Sequence, residues 1–81
     1  IITRSLDERT RMLKHLKKRE ILAVFHYIPL HSSPAGLKYC RVSQGMEVTN
    51  EMSNRLIRLP MYYGMSNEDI DRVVECVKSF Y

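Results

Sequence analysis

The side chains with the greatest chemical capacity in these 81 residues gather in one stretch, Phe25-His26-Tyr27-Ile28-Pro29-Leu30-His31. An imidazole can hold or move a proton near neutral pH, and it can donate or accept a hydrogen bond. A tyrosine carries a hydroxyl at the end of an apolar ring, so it can fill volume and still reach a polar ligand. His31 follows Pro29 at the exit of an apolar run, where a donor can be offered to an anionic or hydroxyl-rich ligand; from the residues alone it is either such a contact or a histidine bonded to a nearby carbonyl. Tyr27 is the second candidate, with its ring in the core and its hydroxyl toward a cleft. His26 ends the apolar run itself and is expected to be packed and locally satisfied.

Other chemistries find little support. A metal held by His26 and His31 lacks further Cys, His or carboxylate ligands close in sequence. The cysteines, Cys40 and Cys76, form no CxxC or Cys/His grouping, so neither a disulfide framework nor a zinc site is indicated and a reducing cytoplasm is expected. Cys40 has Lys38 and Arg41 nearby, which favour a thiolate, but an ordinary half-exposed cysteine fits as well. No apolar stretch approaches the roughly 18 residues needed to span a bilayer, so no membrane insertion is expected.

The elements that must position these groups can be read from caps and periodicity. Ser5-Leu6-Asp7-Glu8 has the form of a capping box and opens a helix whose apolar stripe is Met12, Leu13 and Leu16. Ile21 to Phe25 is continuously apolar and short, which predicts a strand covered on both faces, central in a small sheet. Ile28 to Gly45 is rich in turn-formers and is expected to be a long irregular connection. Val48, Met52 and Leu56 predict a short helix, Ile57-Arg58-Leu59 a brief strand halted by Pro60, and Ser66-Asn67-Glu68-Asp69 the cap of a last helix with Ile70, Val73, Val74, Val77 and Tyr81 on its apolar face. The opening Ile1-Ile2-Thr3-Arg4 reads as the end of a strand begun upstream, so the chain is expected to be the C-terminal piece of a larger soluble enzyme. The expected architecture is α/β (α+β), a single small domain over residues 1–81 with about three strands and helices mainly on one face.

Leu22 to Gly36, with its strand followed by His-Tyr-x-Pro-Leu-His, resembles the C-terminal domain of the DegT/DnrJ/EryC1/StrS family of nucleotide-sugar aminotransferases. Arg55-Leu56-Ile57-Arg58-Leu59-Pro60-Met61 is similar to that family's Arg-Leu-x-x-Leu-Pro-Leu pattern, and Met65-Ser66 starts the final helix in the same way. The resemblance covers essentially the whole chain and is weaker from Leu37 to Met46. It implies the small C-terminal domain of a fold-type I enzyme that moves an amino group from glutamate to a keto-sugar nucleotide, dTDP-4-keto-6-deoxyglucose, for cell-surface polysaccharide synthesis. It also implies that pyridoxal phosphate, its Schiff-base lysine and its phosphate-binding residues belong to a large upstream domain. On this view Lys14, Lys17, Lys18, Lys38 and Lys78 are not catalytic, no cofactor is bound here, the piece is inactive alone, and the intact enzyme is a homodimer. His31 and Tyr27 then become substrate contacts.

A net charge of +4 and the run Lys14-His15-Leu16-Lys17-Lys18-Arg19 support a rival, a small nucleic-acid-binding or interaction module. Against it, the run lacks interleaved stacking aromatics, and Asp7, Glu8 and Glu20 dilute it, as in a solvated helix face.

Overall fold

In the computed structural model, which describes residues 1–81, helix α1 (Leu6–Lys18) is followed by strand β1 (Val24–Phe25), a 3₁₀ turn (Leu30–Ser32), helix α2 (Pro34–Tyr39), helix α3 (Glu47–Arg55), strand β2 (Ile57–Arg58) and helix α4 (Asn67–Lys78). This is a small mixed α+β arrangement of helices and a two-stranded antiparallel sheet.

Helices α1, α2 and α4 start where a side-chain oxygen takes an orphan backbone N–H, whereas α3 starts at Met46 without a side-chain cap. Ser5 Oγ accepts the Glu8 N–H at 3.1 Å, Ser33 Oγ the Gly36 N–H at 3.0 Å, and Ser66 Oγ the Asp69 N–H at 3.1 Å. The expected capping box at α1 closes one residue early. The buried Glu8 carboxylate accepts from the Arg4 backbone N–H rather than from that of Ser5.

The stretch expected to be an irregular connection holds α2 and the 3₁₀ turn. Ser33-Pro34 is the reason: a serine N-cap followed by proline at the first helical position starts a helix as readily as it makes a turn. Gly36 is required there, because a Cβ would overlap the Leu30 carbonyl on which α2 rests.

The sheet also differs from expectation. β1 and β2 pair antiparallel, with Phe25 opposite Ile57, and in place of a third strand Ile2 joins Leu56 by an isolated bridge. The Ile57 N–H donates to Ile1 O at 2.8 Å and the Thr3 N–H to Arg55 O at 2.9 Å. The middle of the sheet is therefore residues 55–58, and the Ile21–Phe25 segment forms an edge. Only Ile21 of that run is buried; Leu22, Val24 and Phe25 are exposed. Ile21 is drawn inward by its backbone bond to Leu16 O at the end of α1, across Glu20 at φ 59, and no element of this chain covers the outer face of the two residues that pair.

The core is Met12, Leu16, Ile21, Ile57 and Val73, ringed by half-buried Leu13, Ala23, Leu59, Met65, Cys76, Val77 and Phe80. On α4 the packed stripe is Val73, Cys76 and Val77, continued by Phe80 just beyond the helix, while Ile70, Val74 and Tyr81, expected on the apolar face, lie exposed. The helix is turned toward its Cys76 flank, where His15 Nε2 meets Cys76 O at 2.9 Å and the Phe80 ring stands edge-on at 5.4 Å.

A chain of this mass, when compact, exposes about 5,100 Å². Here 6576 Å² is exposed. The radius of gyration is 15.4 Å, against about 12 Å for a compact domain of this length. Much apolar surface around Leu22, Val24, Met61 and Tyr63 is open to solvent.

Candidate functional site

At the exit of β1 the chain leaves the sheet through His26-Tyr27-Ile28-Pro29 and tightens into the 3₁₀ turn, which carries His31. Ser32 and Ser33 fix that turn, with their N–H groups bonded to Pro29 O and their hydroxyls to Pro29 O and Leu30 O. His31 is half-buried, and its Nε2 lies 2.8 Å from Asn50 Oδ1 on α3. Asn50 also lines a cleft of about 330 Å³ between α1, β1 and α3, together with Arg9, Phe25, Tyr27, Ser53 and Asn54.

The cleft combines aromatic rings with hydroxyl and amide groups and one cation. Arg9 makes no ion pair: its Nη1 donates to Ser53 O at 2.9 Å, its guanidinium lies 5.5 Å from the Phe25 ring centroid, and its buried Nε has no partner. Such a mixture suits a polar ligand with both hydroxyl and anionic parts, for which rings supply contact and planar side chains supply directional bonds.

The two sequence candidates fall on the same side of the molecule, with different surroundings from those expected. Tyr27 is 72% exposed, so its ring does not fill the core. The ring is flanked by the Arg58 guanidinium at 5.1 Å and the His26 ring at 5.1 Å, and its hydroxyl has no partner within the chain. His26, expected to be packed and satisfied, is exposed and makes no hydrogen bond, because β1 is an edge and its end projects outward. Arg9 and Asn50 were not singled out by sequence. Arg9 looks like one more base on the polar side of α1, and Asn50 like a polar spacer between Val48 and Met52; only the packing of α1 against α3 brings both to the cleft.

The basic run of α1 is partly spent within the chain. Arg4 pairs with Glu8 and Arg11 with Asp7, while Arg19 Nη1 donates to His15 Nδ1. On α3, Arg55 pairs with Glu51. Lys14, Lys17 and Lys18 are exposed, the disposition of a solvated helix face. No three His, Cys, Asp or Glu side chains converge, Cys40 and Cys76 are both free thiols, and no helix is long and apolar enough to cross a membrane.

Residues 1–78 match the DegT/DnrJ/EryC1/StrS aminotransferase family. Over 78 residues, 95% of this chain, the sequence is 36% identical to the uncharacterized protein MJ1066 of Methanocaldococcus jannaschii, of which it covers 20%. All of the chain aligns at 28% identity with the GDP-perosamine synthase of Escherichia coli O157:H7, covering 21% of that protein. The chain thus spans about a fifth of the length of these relatives.

Proposed function

Because this chain belongs to the DegT/DnrJ/EryC1/StrS aminotransferase family, we propose that it forms the C-terminal small domain of an enzyme that transfers an amino group from glutamate to a keto-sugar nucleotide. The match across residues 1–78 carries this reading. The cleft beside Tyr27 and the Asn50-held His31 give it chemistry, as one wall of the sugar-nucleotide site. The open surface around Leu22, Val24 and Met61 packs on the remainder of the longer protein, which works as a homodimer in the cytoplasm. The substrate we favour is dTDP-4-keto-6-deoxyglucose, destined for cell-surface polysaccharide. The relation to a GDP-perosamine synthase supports a sugar nucleotide and makes a GDP-linked keto-sugar the alternative to test.

Pyridoxal phosphate, the cofactor this family membership implies, supplies an electron sink for moving the amino group. The residues of this chain do not fit it. A lysine that carries the cofactor needs an enclosed site with a partner for the ring nitrogen, whereas Lys14, Lys17, Lys18, Lys38 and Lys78 are all exposed and none is ion-paired with Asp or Glu. Cofactor binding and the covalent steps are therefore assigned to the rest of the longer protein, and the piece alone is inactive.

The test is an assay of the full-length protein for conversion of glutamate to 2-oxoglutarate. Conversion is expected to depend on an added keto-sugar nucleotide, dTDP-linked in preference to GDP-linked. Absence of 2-oxoglutarate with both sugar nucleotides would overturn the proposed function.

A further inference from the structure

The geometry points to Asn50 as a positioning residue that fixes His31 in one tautomer, so that the ring atom left for the substrate is an acceptor and reads a sugar hydroxyl rather than a phosphate oxygen. This rests on the reading of the cleft as the sugar-nucleotide wall.

His31 Nε2 is 2.8 Å from Asn50 Oδ1. An amide oxygen only accepts, so Nε2 carries the proton and donates it. In a neutral imidazole the other nitrogen, Nδ1, then presents a bare lone pair. His31 Nδ1 has no partner within the chain, so it is the ring atom available to a ligand. A lone pair attracts an O–H and repels a phosphate oxygen. No carboxylate bonds His31. Glu51, beside Asn50 on α3, is engaged by Arg55. The anionic part of the same ligand has a separate cation available in Arg9, which lines the cleft without an ion pair.

Asn50 lines the cleft itself, so control of the tautomer is read first by a measurement made without substrate. Asn50→Leu removes the acceptor. Nitrogen NMR of the full-length protein with ¹⁵N-labelled histidine, without substrate, is expected to show the Nε2–H form of His31 in wild type and a mixture of tautomers in Asn50→Leu. An Nδ1–H ring in wild type overturns the proposal whatever the enzyme's activity.

Kinetics supply the second arm. For dTDP-4-keto-6-deoxyglucose, Asn50→Leu is expected to lower kcat/KM about tenfold, the scale of one lost hydrogen bond. With either the 2-deoxy or the 3-deoxy analogue, wild type and Asn50→Leu should become equal, because the hydroxyl that Nδ1 accepts is gone. A tenfold deficit that persists with both analogues overturns the hydroxyl assignment. Inorganic pyrophosphate is expected to inhibit wild type and Asn50→Leu alike; loss of its inhibition in the variant would show that His31 reads phosphate. A wild-type enzyme that aminates no keto-sugar nucleotide overturns the parent function and the hydroxyl assignment with it, while the NMR arm still decides the Asn50–His31 relationship.

Discussion

Glu8 accepts the Arg4 backbone N–H at 2.6 Å through one carboxylate oxygen and takes the Arg4 guanidinium through the other, with Nη2 at 2.9 Å and Nε at 3.1 Å. The carboxylate is buried while Arg4 is exposed, so a charge at the first turn of α1 is tied to the segment that lays Thr3 against Arg55. The negative end of this arrangement also suits the N-terminal pole of the helix.

The Arg4 side-chain bond, followed by the Arg4 backbone bond, holds the Glu8 carboxyl below its usual range. An acid whose folded value is depressed stabilises the fold above its unfolded value, about 4.3 for glutamate, and this contribution is lost as pH falls through the lower folded value. Urea midpoints are therefore expected to fall as pH drops below about 4.3, and Glu8→Gln should flatten that dependence. Equal acid sensitivity in wild type and Glu8→Gln would show that another carboxylate controls it.

Leu16 is fully buried between α1, β2 and α4, and His26 is exposed at the end of an edge strand. Leu16→Ala is expected to cost about 2–5 kcal/mol, the range for emptying a core leucine site. His26→Ala should stay within about 0.5 kcal/mol of wild type, as for a surface change away from any cap or network. Chemical denaturation of both variants checks the pair, and a large loss at His26 would mean that its ring packs after all.

His15 sits between two helices. Arg19 can only donate, so Nδ1 is the acceptor, and Nε2 donates to Cys76 O. His15→Phe keeps the bulk against Phe80 and removes the bonds, at an expected loss of about 1 kcal/mol. The effect should be concentrated in amide exchange of residues 76–81. Uniform exchange across the chain would argue that α4 is held by its apolar stripe alone.

The positions of α1, α3 and α4 could be read from residues because their signals are local. Ser5 and Ser66 bond N–H groups three residues away, and Met12 and Leu16 on α1, like Val73 and Val77 on α4, recur at helical spacing. Sheet order could not be read so. Ile57 becomes the middle residue through bonds to Ile1, 56 positions distant, and nothing in Ile21–Phe25 says that its second face will be left open. Ser33-Pro34 fits a turn and a helix start equally, and Gly36 settles the matter only once Leu30 is beside it. His31 and Tyr27 stood out by residue type and motif, whereas Arg9 and Asn50 acquire meaning from the approach of α1 to α3.

The turn that carries His31 depends on the closeness of Gly36 to Leu30. Gly36→Ala is expected to push the 3₁₀ turn off α2 and to reduce substrate affinity with a smaller effect on the core, since neither element contributes to the main cluster. A rise in KM for the sugar nucleotide, with the unfolding of α1 and α4 nearly unchanged, is the expected result. Unaltered KM would show that the turn can shift without moving the site.

Kinetics and melting of His31→Ala in the full-length enzyme decide whether this chain lines the substrate site. A hydrogen bond to a charged or polar ligand is worth roughly 1.5–3 kcal/mol, about ten- to a hundredfold in kcat/KM. The expected result is a fall of that size for the keto-sugar nucleotide, with cofactor content and Tm nearly unchanged, because His31 lies outside the core and bonds only Asn50. Full activity, or a loss of activity that follows a loss of folded protein, would contradict the assignment of His31 to the substrate.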